Sequence, residues 1–424
     1  MRVLMLSWEY PPLLYGGLGR HVHALAEAQA AAGHEVVVLT QQADGTGPDE
    51  VVGGVRVVRA PLDPPFVPLE ENFLAWTLGL NHSLARAGLA VTQGWRPDVV
   101  HAHDWLVTHA ATTLKHALGL PLVATVHATE AGRHQGWLPT GLSKAIHGIE
   151  WWLTFEARRV ITCSQAMRWE VHRLFELPEG STDVVANGID LRRWQPDPAR
   201  VRAMRERFAG EGPLLVCSGR LEWEKGVHTV VKTMPRLRRR FPGARLVVAG
   251  RGSKEQDLRE LAAQKRVARA VEFAGWLERE DLVALTAAAD VALVPSIYEP
   301  FGLVALEAAA AGTPLVVADT GGLREFVQDG VTGLRFSPRN VPGCADAVTR
   351  VLDDEVLGRR LARAARRALL RDHRWEDVAE RTVDVYRRAV REEQELQVGL
   401  RAARDVGRSG PVVRDGNLLR DDAG

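Results

Sequence analysis

The sequence predicts an α/β protein built from two doubly wound parallel-sheet domains. Three observations lead to this fold class. Short apolar runs alternate with longer amphipathic segments, several of the runs are almost continuous Val, Ile and Leu, and the whole pattern stops and then restarts near the middle of the chain. Near-continuous apolar strands are typical of parallel sheets buried on both faces, and helices between them cover those faces. The length of 424 residues suits two or three domains.

The first series of apolar runs predicts the strands of the first domain. These strands lie at residues 3–7, 36–40, 55–60, 99–103, 122–127, 160–164 and 184–186, with helices at 18–32 and 106–118 between some of them. Gly33 is a stop signal for the first of these helices. Residues 191–212 are rich in Arg, Pro and Asp and show no strand pattern, so the boundary between the domains should lie there.

The second series predicts another sheet, followed by helices alone. Its strands lie at residues 214–218, 245–249, 271–274, 291–295, 315–318 and 333–336. We therefore assign residues 1–190 to the first domain, 191–371 to the second and 372–396 to a charged helix that crosses back to the first domain. Residues 397–424 are polar with scattered glycine and no periodicity, which predicts a disordered tail.

Composition and charge exclude several classes of protein. Lys plus Arg is 54 and Asp plus Glu is 53, which disfavours a nucleic-acid-binding protein. No apolar run approaches the ~18 residues of a membrane span, and the apolar N-terminus is too short for a signal peptide. Cys163, Cys217 and Cys344 are widely spaced, so we expect them to be free cysteines buried in the core. This fits a protein of a reducing compartment. We expect a cytoplasmic protein without a transmembrane segment.

Ligands of open parallel sheets bind beyond the carboxyl ends of the strands, so the residues there are the candidates for function. In the first domain, Gly16 and Gly17 follow the first strand and fit either an anion-binding loop or a plain tight turn. His101-Ala102-His103-Asp104-Trp105 ends another strand. No further ligand with metal-site spacing accompanies it, so we interpret Asp104 and Trp105 as cleft residues. His127 ends the next strand, where a satisfied core histidine is the alternative.

In the second domain, charged residues follow the carboxyl ends of two predicted strands. Arg220 and Lys225 follow its first strand and suit a diphosphate, unless they belong to a solvated loop. Glu299 precedes a helix and Glu307 lies inside it; capping by Glu299 and solvation of Glu307 are the alternatives. The free amides around the start of that helix would face an anion: they belong to Phe301, Gly302, Leu303 and Val304.

Together these residues resemble the retaining glycosyltransferases of family 4, which have the two-domain GT-B architecture shared with glycogen and starch synthases. The resemblance covers about residues 1–395. It rests on an E-x7-E signature, an Arg…Lys pair, a glycine loop, an active-site histidine and an interdomain N-G-[IV]-D. In this chain these five features are, in the same order, Glu299 with Glu307, Arg220 with Lys225, Gly16-Gly17, His127 and Asn187-Gly188-Ile189-Asp190. The Ser-Trp-Glu-Tyr-Pro-Pro start and His-Ala-His-Asp-Trp look most like actinobacterial α-1,4-glucosyltransferases related to glycogen synthase.

The resemblance implies a reaction and roles. The second domain holds a nucleoside diphosphate sugar, the first an α-glucan or oligosaccharide acceptor, and the donor's anomeric configuration is retained. Glu299 lies near the reacting carbon, Glu307 accepts from the ribose and His127 contacts the donor sugar. Asp104 with Trp105 and Trp137 serve the acceptor side. The chain lacks an Asp-x-Asp motif, so we expect no metal and no cofactor. Classical bacterial glycogen synthases have Lys-x-Gly-Gly-Leu in this loop, whereas here Tyr15 directly precedes Gly16-Gly17 and no Lys is present, which leaves both ADP-glucose and UDP-glucose as donors.

Three other functions remain open at this stage. A nicotinamide-dependent dehydrogenase would need a Gly-x-Gly-x-x-Gly after the first strand, and the chain has none. A non-catalytic glycan-binding protein could share the fold, because fold does not dictate function. A hexosyltransferase with another donor, such as GDP-mannose, acting on a lipid or small molecule would carry the same motifs.

Overall fold

The computed structural model describes residues 1–69 and 71–408 and confirms two doubly wound α/β domains. The first domain has an eight-stranded sheet in the order β3-β4-β2-β1-β5-β6-β7-β8, parallel except for the edge strand β3. Its strands are β1 (Arg2–Leu6), β2 (Glu35–Gln41), β3 (Asp49–Val52), β4 (Val55–Ala60), β5 (Val99–His103), β6 (Leu122–Val126), β7 (Arg159–Thr162) and β8 (Thr182–Val184). Its helices are α1 (Gly17–Ala31), α2 (Phe73–Val91), α3 (Thr108–Leu118), α4 (Glu130–Arg133), α5 (Gly141–Glu156) and α6 (Gln165–Phe175).

The second domain has a six-stranded, fully parallel sheet in the order β11-β10-β9-β12-β13-β14. Its strands are β9 (Leu214–Ser218), β10 (Arg245–Ala249), β11 (Val271–Gly275), β12 (Val291–Val294), β13 (Leu315–Ala318) and β14 (Leu334–Phe336). Its helices are α7 (Pro198–Phe208), α8 (Val227–Arg240), α9 (Glu255–Gln264), α10 (Arg279–Ala288), α11 (Leu303–Ala311), α12 (Leu323–Phe326), α13 (Val341–Asp353) and α14 (Glu355–Asp372), and α15 (Trp375–Arg408) follows.

Each sheet reverses its strand order once, and that point places the cleft. In the first domain β1 lies between β2 and β5, with Val3 opposite both Val36 and Val99. In the second, β9 lies between β10 and β12, with Leu215 opposite both Leu246 and Val291. Ligands of such sheets bind beyond the carboxyl ends of the strands at this reversal. The loops after β1, β5, β9 and β12 therefore surround the candidate site.

Two elements differ from the prediction. The strand β3 was not predicted, because it is a short antiparallel edge strand that is mostly exposed and shows no apolar run. The last helix runs from Trp375 to Arg408, past the predicted end at residue 396. Residues 397–408 contain three Arg, two Ala, one Leu and one Gln, which favour helix, alongside two Gly, which do not. Residues 409–424 of the predicted tail lie outside the described residues.

The chain crosses between the domains twice, at neighbouring places. After β8 it enters the second domain, and before α15 it returns. The two crossings are bonded to each other: Ile189 N donates to His373 O at 2.9 Å, and His373 Nδ1 lies 2.9 Å from Asn187 O. The helix α15 then packs on the first domain, where Val378 and Tyr386 join its core.

The core also continues across the domain boundary. One hydrophobic cluster includes Met167 and Val171 of α6 together with Ala305 and Leu306 of α11. The three cysteines are free and buried. Among the helices of the described residues, none is both long and apolar enough to span a membrane.

Candidate active site

The loops after β9 and β12 meet at the edge of the second sheet and bring Lys225 and Glu299 together. Lys225 Nζ donates to Glu299 Oε2 at 2.8 Å, and Ser296 Oγ donates to the same oxygen at 2.9 Å. The lysine and glutamate side chains are 24% and 10% exposed, so the pair is sheltered but still reachable from the cleft. A fixed carboxylate beside an ammonium group can contact a sugar and a phosphate at the same time.

Glycines allow this pair to form, because the backbone is crowded around it. Gly226 has φ 67°, and a Cβ there would lie 2.1 Å from Pro295 O. Gly321 has φ 47°, and a Cβ there would lie 2.0 Å from Glu299 O. Gly322 N donates to that same carbonyl at 2.9 Å. Only glycine fits such positions without strain, so these loops hold Glu299 rigidly.

Arg220 lies closer to solvent than Lys225. Its guanidinium donates to Glu224 at 3.2 Å, and its side chain is 44% exposed. Partial burial, and then the nearby Arg133 guanidinium, lower the pKa of Arg220. Arg133 ends α4 in the first domain, so a cation from each domain influences the same region. Two neighbouring cations favour an anion between them. Sequence reasoning missed Arg133, although it lies only six positions after His127.

The backbone amides that were predicted to face an anion lie at the start of α11. Gly302 has φ 103°, and a Cβ there would lie 2.5 Å from Leu323 Cδ2, so glycine is needed at this turn. Leu303 and Val304 form the first helical turn, and their amides have no carbonyl of the helix to donate to. Phe301 is buried and anchors the turn. The helix dipole adds to the positive potential at this end.

Glu307 is not solvated, and it contacts the opposite domain. Its carboxylate accepts from Arg20 Nη1 of α1 at 2.8 Å. The Glu307 side chain is 10% exposed and that of Arg20 is 43% exposed. Burial raises the pKa of Glu307, and the Arg20 guanidinium acts against that rise. A ribose hydroxyl that bonds to Glu307 must share the carboxylate with Arg20 or displace it.

The glycine loop after β1 is partly filled by the protein itself. The Glu9 carboxylate accepts from Tyr15 N at 2.5 Å and from Gly16 N at 3.1 Å. A Cβ on Gly17 would lie 2.9 Å from Leu303 Cδ1, whereas Gly16 borders open space. The loop is thus a place where the domains approach closely. Glu9 thus occupies amides that were predicted for a phosphate, a contact that no sequence motif indicates.

His127 and Asp104 form a buried polar pair at the edge of the first sheet. Asp104 Oδ1 accepts from His127 N at 2.6 Å. Burial lowers the pKa of His127 to about 4 and raises that of Asp104 to about 6. The imidazole is therefore uncharged at neutral pH. Asp104 has φ 60° and ψ 174°, which is strained for any residue but glycine, and such strain is concentrated at functional sites.

The two tryptophans predicted for the acceptor side lie in different surroundings. Trp105 is only 9% exposed and packs edge-on against Phe73 at 5.4 Å between ring centroids. Trp105, predicted as a cleft residue, is thus part of the core of the first domain, and only a small part of its ring remains accessible. Trp137 is 76% exposed and is free to meet a ligand.

Contacts from the first domain hold the loop around Glu299 in place. Tyr298 Oη donates to Glu170 at 2.8 Å and accepts from Thr129 N at 3.1 Å. Ser164 Oγ donates to Pro300 O at 2.6 Å. The residues on both sides of Glu299 therefore touch the opposite domain. Sequence reasoning did not find these contacts, because their partners are more than 100 positions apart.

The fold and the cleft define the class of protein: a two-domain glycosyltransferase of the GT-B type. Family models agree. Residues 15–193 match Glycosyltransferase Family 4, and residues 203–368 match Glycosyl transferases group 1. The chain belongs to this glycosyltransferase family, as its sequence motifs predicted, and the dehydrogenase alternative is excluded.

Individual relatives are similar over almost the whole chain. Glycogen synthase of Mycobacterium tuberculosis is 49% identical over 94% of this chain and 97% of its own length. An uncharacterised glycosyltransferase of Methanocaldococcus jannaschii is 36% identical over 92% of this chain and 99% of its own length. Among solved structures, sucrose-phosphate synthase of Thermosynechococcus elongatus has a TM-score of 0.79 at 25% identity, covering 91% of this chain and 98% of that one. This protein is a hexosyltransferase that uses a nucleotide sugar.

Proposed function

We propose that the protein transfers glucose from ADP-glucose or UDP-glucose to the end of an α-glucan, with retention of configuration and formation of α-1,4 links. The main support for this substrate class is the 49% identity to a glycogen synthase over 94% of the chain. The chemistry is supported by the Lys225–Glu299 pair at the cleft, with the charged Arg220 nearby.

The donor's diphosphate binds to the second domain. Arg220 and Lys225 contribute two cations, and the first amides of α11 contribute hydrogen-bond donors and the positive end of a helix. Arg133 approaches from the first domain and completes the positive region when the domains are together. Glu307 accepts from the ribose hydroxyls, and Arg20 moves aside or shares the carboxylate when the nucleotide enters.

Departure of the nucleoside diphosphate is the difficult step, because negative charge develops on the leaving oxygen. Cations already held in position stabilise that charge without reorganising, which is the largest single contribution in many enzymes. Lys225 and Arg220 fulfil this role. The departing phosphate oxygen then accepts the proton of the acceptor hydroxyl.

Two groups act on the sugar ring. Glu299 lies beside Lys225 and bonds to the donor sugar near the reacting carbon, where positive charge develops. His127 contacts the donor sugar from the first domain. Because the imidazole is uncharged, it bonds to a hydroxyl without repelling the positive ring. Asp104 orients the His127 backbone and serves the acceptor side, together with the exposed Trp137.

The reaction needs no metal ion in this proposal. Protein cations do what a divalent ion does in enzymes that hold a diphosphate through an Asp-x-Asp motif, which this sequence lacks. A hexose other than glucose, such as mannose from GDP-mannose, is the second candidate, because sugar donors often differ by a single hydroxyl.

The test is release of nucleoside diphosphate in the presence of EDTA. ADP-glucose, UDP-glucose and GDP-mannose are compared, each with and without a maltooligosaccharide. We expect acceptor-dependent release from a glucose donor, and elongated glucan that α-1,4-specific hydrolases digest. Release only from GDP-mannose would favour the second candidate, loss of activity with EDTA would contradict metal independence, and no release from any donor would favour a non-catalytic role.

A further inference from the structure

Three histidines from separate elements of the first domain form a buried cluster. They are His21 on α1 and His103 at the end of β5, which are both buried, and the half-buried His127 just after β6. One ring nitrogen from each lies within 4.8 Å of the nitrogens of the other two. His103 Nδ1 is 3.1 Å from His127 Nε2, and the ring centroids of His21 and His127 are 4.7 Å apart.

The cluster contains buried polar atoms that have no hydrogen-bond partner. His21 Nδ1 and His103 Nε2 are both in this state, and their residues are 5% and 0% exposed. The Asn187 side chain interacts with His21, and its buried oxygen has no other hydrogen-bond partner, so His103 Nε2 is the clearest unpartnered atom of the cluster. Buried polar atoms in proteins are almost always satisfied, so several orphans in one place indicate a ligand that belongs there.

The neighbouring His101 provides an internal contrast. It lies on the same strand and its ring centroid is only 4.1 Å from that of His103. Both of its ring nitrogens are satisfied, by Tyr386 Oη and by Thr125 Oγ1, each at 2.7 Å. His101 is therefore a structural residue, whereas the unsatisfied ring nitrogens belong to His21 and His103.

We propose that His21, His103 and His127 form a binding site for a divalent transition-metal ion of the Zn²⁺ class. Imidazole nitrogen suits zinc, whereas Mg²⁺ and Ca²⁺ prefer oxygen. Three histidines with a fourth, open position are an established zinc arrangement. With Zn–N bonds of about 2.0–2.1 Å, the nitrogens must lie about 3.4 Å apart. Small side-chain rotations achieve this from the present separations.

The surroundings suit a bound cation. A metal needs deprotonated ligands, and burial lowers the pKa of all three imidazoles, which disfavours their protonated forms. The Asp104 carboxylate accepts from His127 N at 2.6 Å and brings negative charge next to the cluster. Asn187 Oδ1 lies beside His21 and can bond to a water on the fourth position.

Metal binding at this place opposes catalysis. The proposed function uses His127 to contact the donor sugar, and a metal would hold that ring in the cluster. The ion is thus a reversible inhibitor, not a cofactor. This consequence rests on the proposed function, whereas the metal site itself does not.

The test measures binding directly on the full chain after removal of metal. Co²⁺ is added and the visible absorption of the four-coordinate ion is recorded, and Zn²⁺ is measured by equilibrium dialysis. We expect saturable Co²⁺ absorption that Zn²⁺ removes. His21→Asn and His103→Asn should each weaken Zn²⁺ binding by at least about 100-fold. The control His134→Asn changes an exposed histidine and should bind as the wild type does.

The possible results distinguish failure of the metal-site proposal from failure of the proposed function. Thermal melts identify any variant that fails to fold, and two independent ligand variants keep the test decisive. Equal Zn²⁺ binding by wild type, His21→Asn and His103→Asn would overturn the proposal, as would absent Co²⁺ absorption, which would leave a buried water as the occupant. Inhibition of transfer by Zn²⁺ that His21→Asn relieves is the expected second result. Zn²⁺ binding by a protein whose metal-free form has no transferase activity would contradict only the proposed function, and activity of the metal-free protein without Zn²⁺ binding would contradict only the metal site.

Discussion

The two faces of the cleft differ in the charge of the polar side chains that they present. On the second domain, Lys225 with Glu299 and Arg220 with Glu224 are ion pairs within reach of water. On the first domain, His127 is an uncharged imidazole, because burial lowers its pKa to about 4. One face is therefore suited to an anion and the other to a neutral, hydroxyl-rich ring. This division matches a donor that is a diphosphate at one end and a sugar at the other.

The largest effect on activity is expected from removal of the Lys225–Glu299 ion pair. Lys225→Ala and Glu299→Gln should each lower kcat by about 10²–10³-fold, the range seen when one preorganised transition-state contact is lost. Lys232→Ala, an exposed lysine on α8, is the matched control and should keep wild-type turnover. Steady-state kinetics with the preferred donor measure both. Wild-type turnover in the two site variants would remove the basis of the proposed chemistry.

Arg133 tests this comparison further, because it is a cation that the first domain places near Arg220 of the second. Arg133→Ala should raise the donor KM by about ten- to a hundredfold, since a hydrogen bond to a charged group contributes about 1.5–3 kcal/mol. The acceptor KM should change little. Arg202→Ala, on the exposed face of α7, is the control for loss of one positive charge. An Arg133 variant with an unchanged donor KM would show that the diphosphate lies on the second domain alone.

The smallest effect is expected where the two faces touch, at Arg20 and Glu307. Burial raises the pKa of Glu307 and Arg20 opposes this, so Arg20→Ala should raise that pKa further. Glu307 must be ionised to accept from the ribose. Donor binding by Arg20→Ala should therefore weaken at a higher pH than in the wild type as the pH falls. Donor KM measured across pH checks this, with Arg20→Lys as the charge-conserving control; superimposable profiles would disprove it.

The sequence predicted the second domain's site better than the first's, for a physical reason. Lys225, Glu299 and the start of α11 lie in loops next to near-continuous apolar strands, so their places follow from the strand order. Their glycines are locally required, as the crowding at Gly226 shows. Such information is local and can be read from one stretch of chain.

The first domain's site depends on contacts between distant residues. The pairing of His21 with His103 and the capture of the glycine-loop amides by Glu9 arise only after α1, β5 and β6 pack together. His101 and His103 lie on the same face of β5, but the partners of their ring nitrogens differ: Tyr386 and Thr125 satisfy both nitrogens of His101, whereas Nε2 of His103 has no partner. The burial of Trp105 likewise depends on a distant element, because α2 contributes Phe73.

The bonded pair of crossings has a consequence for engineering. Because Ile189 N and His373 O are 2.9 Å apart, the two ends of the segment 190–372 lie next to each other where they join the first domain. In topological terms the second domain is an insertion into a loop of the first, and insertions with adjacent ends are well tolerated. Exchange of residues 190–372 with the matching segment of a relative therefore needs only two splice points, provided that the contacts of Glu307 with Arg20 and of Tyr298 with Glu170 are kept.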